Sequence, residues 1–346
     1  MRMEVSKVKN HEKEKILVVD HLTMEYQSQR RIFSKPEPSV KAVNDVSLYV
    51  NKGETFGIVG ESGCGKTTLG KCIVRLLTPS KGEIWYQDGK DKKDLLHLDK
   101  NDSFSLRKKV QIVFQDPYAS LNPMHNILEA FDEPMRVHGI GGDAENRKEL
   151  IADALRSVNL QPEYMYRYPH EFSGGQRQRI CIAKALVMKP EIIICDEPVS
   201  ALDVSIQAQI LNLMRDLQKK YNLTYIFIAH DLSVVQYVSD RIAVMYLGNV
   251  VELADAEELY ERPMHPYTEA LLSAIPTPVY NAHKDRIILN GDVPSPLNPP
   301  MGCPFHPRCA KCMQICKEKK PELCKEGESG HLVACHLYAK NTHKLE

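Results

Sequence analysis

The chain lacks a surplus of either charge. Lys+Arg and Asp+Glu stand at 45 each over 346 residues, which removes any global pull toward nucleic acid or an anionic membrane surface. It also lacks a long apolar run: nothing approaches the roughly 18 uninterrupted apolar residues that cross a bilayer. Met1 to Lys15 is charged, with no apolar centre of the kind a secretory leader needs. A cytosolic or membrane-peripheral chain is the expectation that remains. Composition is otherwise ordinary, with 43% apolar and 26% charged residues. The length suits one large domain plus an appendage, or two domains.

Against that plain background one stretch stands out: Gly60, Glu61, Ser62, Gly63, Cys64, Gly65, Lys66, Thr67, Thr68. It follows the apolar run Thr55 to Val59, which reads as a strand, and leads into Leu69 to Leu77, which reads as a helix. The three glycines permit positive φ, so that successive N–H groups fold around an anion. The helix adds its positive dipole end, which makes phosphate the natural occupant. Lys66 then serves the β- and γ-phosphates, and the Thr67 hydroxyl serves Mg²⁺.

Upstream, Ile16 to Val19, Lys41 to Val43 and Val46 to Val50 read as short strands, the earlier ones antiparallel, with Arg30 to Ser39 as an insertion loop. Tyr26 suits either an adenine-stacking ring or an ordinary strand-face tyrosine. Downstream, Gly82 to Tyr86 and Val110 to Phe114 read as strands, the latter ending at Gln115, which suits Mg²⁺, a water or a solvated loop. Asp116 to Pro123 is turn-rich, and Glu129 to Val137 and Asn146 to Val158 are helical: an inserted helical subdomain. Ser173, Gly174, Gly175 and Gln176 open another helix, as a plain capped start or as a second anion site. Glu191 to Cys195 is an apolar run that fits a strand buried on both faces. It ends in Asp196, placed for Mg²⁺, and Glu197, placed to accept a proton from water. Tyr225 to Ala229 delivers His230 to the same edge of the sheet, where open α/β sheets bind their ligands.

Together these residues resemble the ATP-binding subunits of ABC transporters. GESGCGKTT at 60–68 resembles their Walker A loop, Gln115 their Q-loop, and FSGGQ at 172–176 their signature. IIICDE at 192–197 resembles their Walker B, SALD at 200–203 with Asp203 their D-loop, and His230 their switch histidine. The one departure is Phe172 in place of the usual Leu. The resemblance implies a P-loop NTPase: a RecA-like α/β core, an antiparallel β subdomain and an inserted helical subdomain at about 117–188, together spanning 14–260. It also implies an ATPase that binds ATP and Mg²⁺ between two chains, with Ser173 to Gln176 completing the partner's site. The flanks resemble the oligopeptide/dipeptide importer ATPases more narrowly: DPYASLNP at 116–123, His265 to Thr268 followed by Ala270 to Leu272, and a Cys-rich tail. Within that group LGKCIVRLLTPSKGEI at 69–84 is similar to the second of the two ATPases. Implied partners are a homologous ATPase, two permease subunits and an extracytoplasmic peptide-binding protein, with no nucleic acid. The implied location is the cytoplasmic face of the membrane. A soluble ABC ATPase of ribosomes or DNA, an importer of another solute such as nickel, and a metal-binding regulator are the other readings. The first of these would bring two cassettes or a long coiled coil, and the last would not need Glu197 and His230.

Six of the ten cysteines crowd between Cys303 and Cys335, which in a cytosolic chain favours metal over disulfides. The importer resemblance implies a small irregular Cys-rich domain at 261–346. It implies a 4Fe–4S cluster on Cys303, Cys309, Cys316 and Cys335, with Cys312 and Cys324 extra. Zinc held with His306, His331 or His336, and unligated thiols, are the alternatives.

Overall fold

The computed structural model describes residues 14–26, 39–275, 286–327 and 330–338. Twelve strands run in chain order as β1 (Lys15–Tyr26), β2 (Val40–Asn51), β3 (Thr55–Val59), β4 (Lys81–Asp88), β5 (Asp91–Asp94), β6 (Val110–Val113), β7 (Ile192–Asp196), β8 (Thr224–Ala229), β9 (Arg241–Tyr246), β10 (Asn249–Asp255), β11 (Cys324–Glu326) and β12 (His331–Val333). Between them lie helices α1 (Lys66–Ile73), α2 (Lys100–Lys109), α3 (Ile127–Val137), α4 (Ala144–Ser157), α5 (Gly174–Leu186), α6 (Val204–Tyr221), α7 (Leu232–Val238), α8 (Ala256–Glu261), α9 (Pro266–Ser273) and α10 (Gln314–Glu318).

The strands form two sheets. An antiparallel sheet has the order β2-β1-β4-β5, and a larger one the order β11-β12-β10-β9-β3-β8-β7-β6. In the larger sheet β9, β3, β8, β7 and β6 run parallel, which requires helical crossovers that cover both faces. That is why β3, β7 and β8 carry apolar residues at successive positions and are buried throughout.

The period-two geometry of a strand divides those residues between two cores. Ile192, Ile194, Ile226 and Ile228 pack with Leu69, Cys72 and Ile73 of α1 and with the inner face of the antiparallel sheet. Ile193, Cys195, Tyr225 and Phe227 point the other way, into the core formed with α3 to α6. Gly70 lets α1 lie close on the sheet, since a Cβ there would stand 2.8 Å from Ile228 Cδ1.

Three differences from the sequence reading have local causes. The two short runs at 41–50 are one strand, β2, which passes through Asp45 at φ 58 and keeps pairing with β1 through register shifts. Helix α1 stops at Ile73, because Arg75 takes φ 59 and turns the chain. The C-terminal extension is not an irregular appendage: β12 pairs antiparallel with β10, so β11 and β12 prolong the core sheet. The insertion loop read at Arg30 to Ser39 lies almost wholly outside the described residues, as do Pro276 and Pro278 of the Pro-rich connector.

The seam of the extension is built on one buried acid. Glu252 of β10 is fully buried and accepts hydrogen bonds from the Met264 and His265 backbone N–H groups at 2.7 and 2.9 Å. His331 of β12 lies against it, with Nε2 2.7 Å from Oε1. Burial alone would lower the His331 pKa; the hydrogen bonds and charges of Glu252 and Glu258 outweigh it and raise the value. Each partner thus offsets the desolvation of the other, and removing either would leave a buried polar group without its partner.

Candidate active site

All the sequence-predicted chemistry except the signature, Tyr26 and the cysteines sits at the carboxyl ends of parallel strands. β3 delivers the glycine loop, β6 delivers Gln115, β7 delivers Asp196 and Glu197, and β8 delivers His230. The loop is glycine-rich for steric reasons visible at two positions. Gly60 has φ 154 and would place a Cβ 2.2 Å from the Met245 carbonyl, and Gly65 has φ 104 and would place one 2.0 Å from that of Ala42.

The cation and the hydroxyl of the loop each have a partner within the site. Lys66 Nζ donates to the Gly60 carbonyl at 2.8 Å and to the Glu61 carbonyl at 3.1 Å, folding back across its own loop. Cys64 is buried beside it, and burial raises its thiol pKa. Thr67 Oγ1 donates to Asp196 Oδ1 at 2.8 Å. Burial lifts the Asp196 carboxyl above its usual range; the Thr67 hydrogen bond opposes this, the Glu197 charge adds to it, and Lys71 and Lys66 oppose it. A hydroxyl and a buried carboxylate in contact form the donor pair that a hard cation would take. Ser62 and Gly63 lie on the open side of the loop, with nothing within 4 Å of a Cβ at Gly63. Thr68 lies in the first turn of α1.

Glu197 is the centre of the second group. One of its oxygens, Oε2, takes both Gln115 Nε2 at 3.1 Å and His230 Nδ1 at 3.1 Å. The other oxygen carries no hydrogen bond among the described residues, which leaves it open to a water. Glu197 itself has φ 47, uncommon for a residue with a side chain. That conformation is held by its N–H on the Ile228 carbonyl at 2.9 Å and by Ser200 Oγ on its own carbonyl at 3.0 Å. Strain of this kind is tolerated where it aims a side chain. Gln115 thus bonds Glu197, and among the described residues it makes no hydrogen bond to Thr67 or Asp196.

The signature is placed apart from this cluster. Ser173 caps α5 in a reciprocal box with Gln176, Ser173 N–H on Gln176 Oε1 at 3.0 Å and Gln176 N–H on Ser173 Oγ at 3.4 Å. Gly174 and Gly175 pack against Leu202 and Ile206, and a Cβ at Gly175 would stand 2.6 Å from Ile206. Among the described residues no hydrogen bond or ion pair joins Ser173 to Gln176 with the glycine loop. Asp203 stands at the N-cap of α6 without a side-chain cap bond. Tyr26 ends β1 and is exposed; among the described residues no hydrogen bond or ring contact joins it to the glycine loop. The sequence reading overlooked Arg177, whose guanidinium lies 3.5 Å from the Tyr118 ring centre and donates to the Pro169 carbonyl at 3.2 Å. It ties the segment after Gln115 to the signature helix, and its only sequence signal was its place next to Gln176.

The cysteines are reduced. Cys303 is pushed up to about 11 by burial, then by Cys316, Cys335 and Cys309. Cys335 is pushed up to about 11 by burial, then by Cys309 and Cys316. Burial raises Cys309, with Cys312 and Cys316 adding to it. The charges of all six pairs within the set 303, 309, 316 and 335 thus influence one another; Cys312 acts on Cys309 while its Sγ donates to the Met313 carbonyl at 3.5 Å, and Cys324 lies in β11. The Cys303 N–H donates to the Cys316 carbonyl at 2.8 Å and locks two of the segments together. Even so, among the described residues no three His, Cys, Asp or Glu side chains gather as ligands of one metal ion. The expectation of a metal-binding group, iron–sulfur or zinc, is not borne out among the described residues. His331, offered as a zinc ligand, is committed to Glu252, and His336 Nε2 lies 2.8 Å from the Lys319 carbonyl.

Comparison with known proteins accounts for both halves of the chain. The model of the ABC transporter family matches residues 43–200, and that of the oligopeptide/dipeptide transporter C-terminal region matches 251–316. The oligopeptide transport ATP-binding protein AppF of Bacillus subtilis is 52% identical over 310 residues, 89% of this chain and 93% of the relative. The chain belongs to the ABC transporter ATP-binding proteins of the oligopeptide/dipeptide group. As an ABC ATP-binding protein it is an ATPase. The dipeptide transport ATP-binding protein DppF of Haemophilus influenzae is 46% identical, over 90% of this chain and 93% of its own length. Among solved structures, the ABC cassette MJ0796, described as a dimeric post-hydrolysis state bound to ADP and Pi, covers 70% of this chain and 99% of its own, with a TM-score of 0.61 and 27% identity.

Proposed function

We propose that this chain is the ATP-hydrolysing subunit of a membrane importer of oligopeptides or dipeptides. The observation that carries the reading is the coexistence in one chain of the Glu197 cluster with a C-terminal region matched to the oligopeptide/dipeptide transporters. In this reading Lys66 exchanges the Gly60 and Glu61 carbonyls for the β- and γ-phosphates of ATP, which the loop amides also hold. Thr67, Asp196 and Gln115 are the residues that would hold Mg²⁺, whose charge offsets that of the phosphates. Glu197 polarises the attacking water through its open oxygen, and His230 bonds the γ-phosphate. Tyr26 stacks on the adenine ring.

Ser173 to Gln176 and Asp203 serve the nucleotide of a second, homologous ATPase across a head-to-tail dimer. The support is that the signature forms a second helix N-terminus apart from the chain's own loop. Closure of that dimer drives two permease subunits, which receive peptide from an extracytoplasmic binding protein. The chain would then sit at the cytoplasmic face of the membrane; among the described residues no helix is long and apolar enough to cross it. We divide the chain at about 260, with 14–260 as the ATPase, 117–188 as its helical part and 261–346 as the extension.

Cells lacking this chain should fail to take up labelled oligopeptide, recover with the wild-type chain, and not recover with Lys66→Ala. Unchanged uptake without the chain would overturn the peptide assignment. For Cys303, Cys309, Cys316 and Cys335 the finer reading is a 4Fe–4S cluster, and its support is the crowding of cysteines in the tail. Anaerobic purification should yield about four irons per chain, and a colourless protein without iron would end that reading.

A further inference from the structure

The glycine loop is held from outside by the C-terminal extension. Arg308, one residue before Cys309, makes a two-pronged ion pair with Glu61: Nη1 lies 2.7 Å from Oε2 and Nη2 3.1 Å from Oε1. The pair is partly desolvated, with the Arg308 side chain 8% and Glu61 27% exposed. The backbone N–H of Glu61 donates to the Tyr267 hydroxyl at 2.9 Å. Tyr267 packs tilted and Tyr246 edge-on against Phe305, with ring centres 5.4 and 5.3 Å away, and the Tyr246 hydroxyl also lies 3.5 Å from Arg308 Nη1. On its other side the loop is tied by the Gly248 N–H to the Cys64 carbonyl at 2.9 Å.

Two physical consequences follow. A carboxylate next to Gly60, on a loop that must accept a polyphosphate, repels the ligand unless it is neutralised. A guanidinium fork neutralises it and also sets its direction, which a single ammonium does less well. In addition, the Glu61 N–H is spoken for, so the amides left to turn inward are those beyond it.

We propose that Arg308 and Tyr267 are positioning residues for the phosphate loop: the extension neutralises Glu61, sets the loop for ATP, and thereby ties the cysteine-bearing segment to nucleotide affinity. They act through Glu61 and touch no reacting atom.

The test is the ATP dependence of hydrolysis by the full chain in its purified membrane complex. Arg308→Ala should raise the KM for ATP about tenfold with kcat within twofold. Arg308→Lys, which keeps the charge and loses the fork, should recover to within about threefold of wild type. Tyr267→Phe should raise KM about threefold. Thermal unfolding identifies any variant that fails to fold, and the two milder substitutions then decide. An unchanged KM in the folded variants, or a fall in kcat alone, would overturn the proposal. This inference rests on the ATPase reading, and the two fail differently: a wild-type complex without ATPase activity contradicts that reading, whereas normal wild-type turnover with an unchanged KM in the variants contradicts only the positioning role.

Discussion

His265 shows how far a single side chain can be pushed by where the fold puts it. It is almost completely buried, its Nδ1 accepts the Tyr267 N–H at 3.1 Å, and burial pulls its pKa down to about 4, with Glu252 opposing weakly. A protonated ring could not accept that bond, so the neutral form is the folded form. Because the folded pKa lies below the unfolded 6.5, the unfolded chain binds the extra proton. The His265 contribution is intact above about pH 6.5 and is lost as pH falls toward 4, by about 3 kcal/mol at most. His331 runs the other way: its raised pKa gives stability that is present below 6.5 and lost as pH rises through the folded value. Chemical denaturation of His265→Asn at pH 7 and pH 5 should therefore show a smaller acid-induced loss than wild type. An equal loss in both would remove His265 from the acid response.

At the scale of elements, β3, β7 and β8 were legible because they are buried throughout and end in chemistry. Glu191 to Glu197 and Tyr225 to His230 carry apolar runs that stop at a charged or titratable residue, and that pattern needs no partner to be read. β9 and β10 were not read, although they are as buried as β8. Their turn carries a signal in Gly248 at φ 77, but Glu252 interrupts the apolar run of β10, which hides the strand from a local pattern. The reason for that glutamate is His331, 79 residues away, which no local pattern contains. The same separation explains why the tail looked irregular while in fact it adds two strands to the sheet. Glu252→Ala leaves two backbone donors and a buried imidazole without their acceptor. It should cost about 3–5 kcal/mol, as for breaking other buried pairs, read as a lower urea midpoint together with faster proteolysis after residue 260. A midpoint within error of wild type would show that the seam does not depend on this acid.

For the molecule as a whole, motif order already implied a nucleotide site, because the strand topology that gathers Lys66, Asp196, Glu197 and His230 follows from parallel pairing. What the motifs did not contain was which partner each group takes: Lys66 on its own loop, Thr67 on Asp196, and one oxygen of Glu197 shared by Gln115 and His230. Nor did they contain the reach of Arg308 across 247 residues to Glu61. The central claim is that Glu197, held in this way, polarises the water that attacks ATP. The measurement closest to it is turnover by the purified complex carrying Glu197→Gln, with ATP occupancy determined on the same sample. The account predicts occupancy equal to wild type and turnover lower by about 10²–10⁴-fold, the range for loss of a general base. Turnover at the wild-type rate with ATP bound would contradict it.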